Sequence, residues 1–334
     1  MKKRICVLFT GGTIGSKKDQ TSVKVDSTQN SLLIDLAKKE IKGVEYDCFS
    51  VLNMHSENVQ ESDLYKIVEF IKDIDVTAYD GVILTHGTDT LTYTANYLSL
   101  VLFVSIPVVL VSSAYPLSDE RSNGLINFLS AVRFIENTNY KGVFVAYKNI
   151  GENPKIHLAS RVMNTREFDG YVDSLAGQYF GEQKGKKFKP QNLPENFDLR
   201  ENVFGGYKMC SDIMVVHSRS LLDYTYFDFE NKKPKAVIVV TYHSGTVCTS
   251  GEKTNFSRFL EYAKQKGVEV IVAPIDENAN VYESAVDLQK SCIISFNQSV
   301  SMTTVKVMLA LGCDEDIQSV LDKNYAFEKV SSIY

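Results

Sequence analysis

The stretch that decides the fold lies near the start of the chain, where residues 4–16 read RICVLFTGGTIGS. The β-branched run at 4–9 is typical of a buried strand, and Gly11 and Gly12 allow the backbone to turn sharply after it. Thr13 then places a hydroxyl beside the N–H groups of the turn, at the strand end where α/β folds usually bind their ligands. Such a hydroxyl suits acyl transfer, because neighbouring N–H groups stabilise an oxyanion.

Spacing excludes two phosphate-binding motifs at this turn. A Walker A loop needs a glycine before its lysine and a Ser or Thr after it, but Lys17 lies between Ser16 and Lys18. A dinucleotide fingerprint needs Gly-x-Gly-x-x-Gly, and the glycines at 11, 12 and 15 do not supply it. Taken alone, the segment fits a plain turn as well as it fits a nucleophile.

Short apolar runs alternate with helical patterns through the first half of the chain. The pattern predicts strands at 4–9, 81–85, 107–112 and 142–147, and helices at 63–71, 90–102 and 123–136. Alternation of this kind is typical of parallel strands joined by right-handed crossovers, with helices on both faces.

Polar residues dominate from 181 to 206, and a second α/β pattern follows. Its predicted strands lie at 214–217, 236–241 and 268–273, and its helices at 255–266 and from Thr303 onward. A length of 334 residues also favours two domains. We therefore predict an α/β protein with a doubly wound, mainly parallel sheet in an N-terminal domain (1–185), a solvated linker (186–208) and a smaller C-terminal α/β domain (209–334).

Composition and net charge limit the classes of partner that we expect the protein to bind. A formal net charge of −5 gives no reason to expect nucleic acid or an anionic membrane as a partner, and no apolar run reaches the roughly 18 residues of a membrane span. The six cysteines form no Cys-x-x-Cys pair and no His lies at metal-ligand spacing from one. We expect a cytoplasmic protein with reduced thiols that uses no metal and no cofactor and takes a small-molecule substrate.

A second group of polar residues follows the strand at 81–85, where the sequence reads HGTDT from His86 to Thr90. Thr88 and Asp89 are common helix caps, and His86 by itself is more typical of a structural histidine than of a base. Both Thr88 and Asp89 nevertheless lie at the carboxyl end of a predicted parallel strand, as Thr13 does. We therefore expect two hydroxyls and a carboxylate to converge on one crevice, beside a helix N-terminus that favours anions.

The pairing of TGGTIG at 10–15 with HGTDT at 86–90 resembles the bacterial-type L-asparaginase family. Further segments agree in the same order along the chain: HSEN at 55–58, SSAYPL at 112–117, RSNGLIN at 121–127 and, as in the cytosolic branch, YHSGT at 242–246. The resemblance implies the two-domain fold, hydrolysis of an amino-acid amide and assembly of identical chains into a dimer or tetramer. It also implies that a neighbouring chain closes each site, through residues near 242–246 or 282–284.

The resemblance also implies catalytic roles. Thr13 is expected to attack the side-chain amide carbon, and Thr88 to polarise the amide, relay a proton or act as a second nucleophile. Asp89 is expected to complete this catalytic set and to hold the α-ammonium of the substrate.

Four further residues are expected to bind the substrate. Ser56 would hold the α-carboxylate, Glu57 would assist Asp89 at the α-ammonium, and the backbone at Gly12 would contribute to the oxyanion hole. Ser113 completes the set. A small zwitterion needs both an anionic and a donor-rich contact to be held in register.

Two residues of the family pattern are absent. Residues 17–30 contain no tyrosine, which the family uses to activate the nucleophile, and no lysine lies between Lys155 and Lys184. Counting back from Asp-Gly-Tyr at 169–171, the expected lysine position falls on Thr165 or Asn164, with Arg166 beside them. A desolvated lysine can accept a proton, whereas an arginine stays protonated.

Three hypotheses follow, in this order. The first is an amidohydrolase on asparagine, glutamine or a related amide that is activated differently. The second is a related acyl-transfer enzyme on another amide or ester, and the third is a catalytically weak member that binds an acidic amino acid. The tRNA-amidotransferase relatives carry an additional N-terminal domain, and because the first motif begins at Thr10 we do not expect this chain to be of that kind.

Overall fold

The first strand of the chain lies second from one edge of an eight-stranded sheet, with the order β10-β9-β8-β7-β6-β5-β1-β4. Its strands are β1 (Lys3–Gly11), β4 (Val44–Met54), β5 (Gly81–Thr85), β6 (Pro107–Val111), β7 (Gly142–Tyr147), β8 (Lys155–Leu158), β9 (Gly181–Lys184) and β10 (Lys187–Pro190). The five strands from β4 to β7 in this order are parallel, and β8 to β10 are antiparallel. The predicted doubly wound, mainly parallel sheet is confirmed.

This computed structural model describes residues 2–18, 23–25, 27–166, 168–197, 204–278, 282 and 291–330. The chain divides into two compact units. Unit 1 contains Met1–Gly205 and Tyr325–Phe327, and unit 2 contains Gly206–Asn324 and Glu328–Tyr334.

Helices connect the parallel strands of unit 1. They are α1 (Ser27–Glu40), α2 (Glu61–Asp73), α3 (Leu91–Val101) and α4 (Gly124–Asn137), and a separate hairpin pairs β2 (Ser16–Lys18) with β3 (Val23–Val25). Ile5, Val7 and Phe9 of β1 lie in one apolar cluster with side chains of α1 and α4. Cys6 and Leu8, which point to the opposite face, are also fully buried. Burial on both faces explains why the strand reads as a continuous apolar run.

The predicted linker at 186–208 needs correction. Residues 187–190 form the edge strand β10, and the chain up to Gly205 belongs to unit 1. Phe188 packs edge-on against Phe134, with a centroid distance of 5.0 Å. The polar composition of this segment hid the edge strand, because a few aromatic side chains are enough to anchor a strand whose other residues are solvated.

Unit 2 contains a smaller parallel sheet in the order β11-β12-β13-β14. The strands are β11 (Ile213–His217), β12 (Ala236–Val240), β13 (Glu269–Ile275) and β14 (Ile293–Phe296), and the helices are α5 (Phe256–Gln265), α6 (Val300–Gly312) and α7 (Ile317–Asp322). The predicted α/β character is confirmed. Helix α6 begins earlier than predicted, at Val300, because the Ser299 side chain accepts a hydrogen bond from the Met302 N–H and caps it.

Across the part of the chain that the structure describes, no helix is long and apolar enough to cross a membrane.

Candidate active site

Three strand ends of unit 1 meet through glycine contacts. Gly12, with φ 78°, donates its N–H to the Met54 carbonyl at the end of β4, with an N···O distance of 3.1 Å. A Cβ atom on Gly12 would lie 2.3 Å from the Gly87 nitrogen, and one on Gly87 would lie 2.3 Å from Ser56 Oγ. The loops after β1, β4 and β5 therefore touch, and only residues without a side chain allow this approach.

The sheet order explains why these loops meet. The chain passes from β1 to β4 on one side and then to β5 on the other side of β1. This reversal opens a crevice at the carboxyl ends of β1 and β5, where open α/β sheets bind their ligands.

Thr13 and Thr88 directly follow the two glycines of this contact. Both side chains are half-buried, and within the described residues neither hydroxyl makes a hydrogen bond. The neighbouring hydroxyls of the first motif are engaged: Thr10 Oγ1 donates to the Thr85 carbonyl at 2.6 Å, and Ser16 Oγ donates to the Gly12 carbonyl at 2.8 Å. Among the described residues, the Thr13 and Thr88 hydroxyls therefore have no protein partner.

Ser56 links the loop after β4 to the start of α3. Its hydroxyl donates to Asp89 Oδ2 at 3.3 Å, and its carbonyl accepts from Thr90 Oγ1 at 2.9 Å. Ser56 is 4% exposed, whereas Asp89 and Glu57 are exposed. The structure therefore brings two carboxylate residues and a serine to the same edge as Thr13 and Thr88, beside the N-terminus of α3, which begins at Leu91.

His86 is held as a structural group. Its Nδ1 lies 2.9 Å from the Gly87 carbonyl and its Nε2 lies 3.0 Å from Thr94 Oγ1. A carbonyl only accepts, so Nδ1 carries the proton and Nε2 accepts from the threonine hydroxyl. Burial lowers the pKa of the ring, although the bond to Gly87 opposes this, and His86 stays neutral. With both nitrogens bonded, His86 acts in the fold, as expected from the sequence.

Ser113 is fully buried, and its hydroxyl bonds within its own loop. It donates to the Tyr115 carbonyl at 2.5 Å and lies 3.1 Å from Ser122 Oγ and 3.2 Å from Asn123 Oδ1. The Ser113 side chain therefore stabilises the loop after β6 and does not face solvent. Gly124 follows this loop and packs against Ser113 Oγ and the Ile14 side chain, next to Thr13.

The segment that should carry a lysine runs beside α3. Thr92 Oγ1 in the first turn of α3 donates to the Met163 carbonyl at 2.8 Å. Asn164 is exposed and Thr165 is half-buried. Arg166 is exposed, and its guanidinium lies over the Tyr171 ring, 4.2 Å from the centroid. The charge of Arg166 is therefore engaged with an aromatic face. Of the loop at 17–30, where the tyrosine is missing, residues 19–22 and 26 lie outside the described residues.

Sequence reasoning missed the residues that fix the geometry. Gly87 and Thr90 belong to the quoted HGTDT motif, but their contacts with Gly12 and Ser56 join segments more than 30 positions apart. The glycine in each motif was the available signal, since a buried glycine next to reactive groups often marks a close backbone approach. Among the described residues, no group of three or more His, Cys, Asp or Glu could hold a metal ion.

Comparison with known proteins agrees with this geometry. The L-asparaginase of Thermococcus kodakarensis is 32% identical over 160 residues, which cover 48% of this chain and 47% of that protein, so the match spans about half of that relative's length. A component of the glutamyl-tRNA(Gln) amidotransferase of Methanococcus maripaludis is 32% identical over 363 residues, covering 99% of this chain and 82% of the relative.

The solved structure of the thermostable L-asparaginase from Thermococcus kodakarensis superposes with a TM-score of 0.81 at 24% identity, covering 98% of this chain and all of that one, and so shares its fold. The family model "Asparaginase, N-terminal" matches residues 4–192, more than half of the chain and all three loops of the crevice. The chain therefore belongs to the asparaginase family, of the bacterial L-asparaginase type.

Proposed function

We propose that this protein is an amidohydrolase that releases ammonia from L-asparagine or a related amino-acid amide, with Thr13 as the nucleophile. The observation that supports the proposal is the contact between Gly12 and Gly87, which joins the loops that carry Thr13 and Thr88 at the switch point of the sheet. Two available hydroxyls next to a carboxylate, Asp89, suit acyl transfer from an amide.

In this mechanism Thr13 Oγ1 attacks the side-chain amide carbon. N–H groups near Gly12 and Thr88 stabilise the oxyanion of the tetrahedral intermediate. The C–N bond then breaks, and the nitrogen leaves as ammonia with the proton that the Thr13 hydroxyl gives up. Water hydrolyses the acyl-threonine to the acid and restores the Thr13 hydroxyl. Thr88 polarises the amide or relays the proton. His86 is not the base in this mechanism, because its unprotonated nitrogen, Nε2, accepts from the buried Thr94 hydroxyl and not from Thr13 or Thr88.

We further propose how the substrate is held. The carboxylate of Asp89, with Glu57 nearby on the following loop, binds the α-ammonium group, and Ser56 binds the α-carboxylate close to the N-terminus of α3. The Ser56 hydroxyl and the Asp89 carboxylate lie 3.3 Å apart, which supports this arrangement because it keeps the two binding groups at a fixed distance. When substrate binds, the Ser56 hydroxyl donates to the α-carboxylate in place of Asp89. Ser113 contributes by holding the loop beside Ile14.

The assembly and location follow the same family. We propose that the protein is a cytoplasmic homo-oligomer, a dimer or a tetramer. The six cysteines form no disulfide among the described residues, which fits a reducing compartment.

A related candidate is hydrolysis of glutamine. The amidotransferase relative matches 99% of this chain, which is more than the 48% that the Thermococcus L-asparaginase matches. The substrate panel should therefore contain both amides, L-asparagine and L-glutamine, together with their N-substituted forms.

The decisive measurement is release of ammonia or amine by the purified protein. We expect Thr13→Ala to lower the rate by at least about a thousandfold, because the nucleophile is lost. Thr10→Val is the matched control, since Thr10 lies in the same motif but its hydroxyl bonds only to the Thr85 carbonyl. A wild-type rate no higher than that of Thr13→Ala on every amide would exclude hydrolysis. Aspartate binding by calorimetry would then favour the binding protein.

A further inference from the structure

Three residues near the end of the chain belong to unit 1, although the residues before and after them belong to unit 2. We call this segment, Tyr325–Phe327, the C-terminal strap. The Tyr325 ring packs against Phe204 and the Phe327 ring against Phe197, with centroid distances of 5.7 and 5.2 Å. The strap is thus inserted between side chains of unit 1.

The backbone of the strap is bound by two buried side chains. Ser160 Oγ donates to the Ala326 carbonyl, and Arg161 Nε donates to the Phe327 carbonyl, each at 2.6 Å. Ser160 is 2% exposed and Arg161 is 6% exposed. Both belong to the 3₁₀ turn Ala159–Arg161, so the strap fixes this turn from one side.

Helix α3 binds the same segment from the other side. Asn96 Nδ2 donates to the Ala159 carbonyl at 2.7 Å, and Thr92 Oγ1 donates to the Met163 carbonyl at 2.8 Å. Asn96 and Thr92 are four positions apart and therefore lie on one face of the helix. Both are buried, at 0% and 4% exposure. Two of the four hydrogen bonds thus hold α3 and two hold the strap, with residues 159–163 between them.

We propose that the C-terminal strap positions Thr88 and Asp89 through this relay of four hydrogen bonds. Helix α3 begins at Leu91, directly after the Thr-Asp-Thr segment, so any slide or tilt of the helix moves both residues. Each side chain of the relay donates to a backbone carbonyl. Leaving a buried carbonyl without a donor costs free energy in the folded state. The helix is therefore held in one position along its axis. Thr92, Asn96, Ser160 and Arg161 are positioning residues; none is placed in contact with the substrate.

The kinetic consequence rests on the proposed amidohydrolase function, whereas the structural consequence does not. The experiment therefore has two arms. Hydrogen exchange of the amides at 88–94 measures how firmly the start of the helix is held. Initial rates of ammonia release, resolved into kcat and KM, measure its effect on the site.

Four variants and one double variant test the relay. Thr92→Val removes the bond at the α3 end with little change of shape, Thr92→Ser keeps the hydroxyl, and Ser160→Ala removes a bond at the strap end. Ser99→Ala is the matched control, because Ser99 is a buried hydroxyl of the same helix that bonds to the Asn96 carbonyl within α3. The double variant Thr92→Val/Ser160→Ala reports whether the two ends act together.

We expect Thr92→Val and Ser160→Ala each to speed exchange at 88–94 and to lower kcat by about five- to tenfold, with KM changed less than about twofold. Thr92→Ser and Ser99→Ala should stay near wild type, and the double variant should resemble the single ones.

The proposal is overturned if Thr92→Val and Ser160→Ala leave exchange at 88–94 at the wild-type rate, if Ser99→Ala raises it equally, or if the two effects simply add. Should Thr92→Val not fold, Ser160→Ala tests the relay from its other end. An inactive wild type would count against the proposed function alone, and the exchange arm would still decide the relay.

Discussion

The two units build parallel sheets of the same kind, but their strand orders differ. Unit 1 reverses direction at β1, with β4 on one side and β5 on the other, whereas the strands described for unit 2 follow one another in chain order from β11 to β14. Both units place hydroxyl residues after strands, and in unit 2 Ser244 Oγ and Thr246 Oγ1 bond to each other at 3.0 Å. The comparison teaches that polar loops alone do not make a candidate site. A reversal of strand order is also needed, and among the described strands only unit 1 shows one.

The units also bury ionisable groups differently. Unit 2 encloses Lys306 and Glu328, both with fully buried side chains, with an Nζ···Oε1 distance of 2.6 Å. Unit 1 encloses the imidazoles of His86 and His157, and burial lowers the pKa of each, so both are neutral. Three measurements test these differences between the units, and they follow in order from the largest expected effect to the smallest.

The largest effect is expected at the ion pair of unit 2. Lys306 Nζ also donates to Gln298 Oε1 at 3.0 Å and to the Lys323 carbonyl at 2.7 Å. Lys306→Met leaves a buried carboxylate without its partner and should lower the free energy of unfolding by about 3–5 kcal/mol, measured by urea denaturation. In Lys306→Met/Glu328→Leu most of this loss should be recovered. A single variant within about 1 kcal/mol of wild type would contradict a paired buried charge.

The next effect concerns the glycine contact of unit 1. Gly87→Ala places a Cβ atom where Ser56 Oγ and Cβ lie, at 2.3 and 2.5 Å, and therefore displaces Ser56 from Asp89. We expect amide hydrolysis to fall by about a hundredfold, the typical cost of moving a binding group by about 1 Å. The matched variant in unit 2 is Gly267→Ala, where φ is +66° and the nearest atom outside its chain neighbours, Lys233 Nζ, is 3.6 Å away. It should lower stability slightly and leave hydrolysis unchanged. Equal losses of hydrolysis from both variants would contradict the expected difference between the two units.

The smallest effect is the response of unit 1 to acid. His157 Nδ1 lies 2.8 Å from Ser174 Oγ, and burial, with Lys155 nearby, lowers the pKa of this histidine to about 3. The unfolded chain takes up a proton below about pH 6.5 that the folded chain does not, so stability falls as the pH decreases from 6.5 towards 3. At pH 5 His157 should contribute a loss of about 2 kcal/mol.

Urea denaturation at pH 7 and pH 5 tests this acid response. The drop between the two pH values should shrink by about 2 kcal/mol in His157→Asn. Ser174→Ala, which keeps the buried imidazole and removes only its partner, should retain the drop. An unchanged drop in His157→Asn would show that the folded protein accepts the proton.

Much of the fold was predictable because local patterns carry it. The apolar runs at β5, β6 and β7 and the helical spacing of α2 gave elements that the structure confirms. Edge strand β10 was missed, since solvated edge residues have no apolar run and only Phe188 marks the strand. The candidate site residues come from their motifs and stay predictions. The structure adds that the Ser113 hydroxyl bonds within its own loop. A Cβ atom on Gly124 would lie 3.0 Å from Ser113 Oγ, so this loop also contains a close backbone approach that no local pattern indicates.

By itself, the sequence determined seven of the strands, β1, β5, β6, β7, β11, β12 and β13, but not β4, β8, β9, β10 or β14. It also determined which loops carry hydroxyls and carboxylates, and that no lysine lies between Lys155 and Lys184. These are properties of composition and spacing within one segment. Only the tertiary structure decided that Gly12 touches Gly87, that His86 is bonded through both ring nitrogens, and that Tyr325–Phe327 is bound by Ser160 and Arg161. The physical reason is that close approach and hydrogen bonding between distant segments depend on sheet order and packing, which no local pattern encodes.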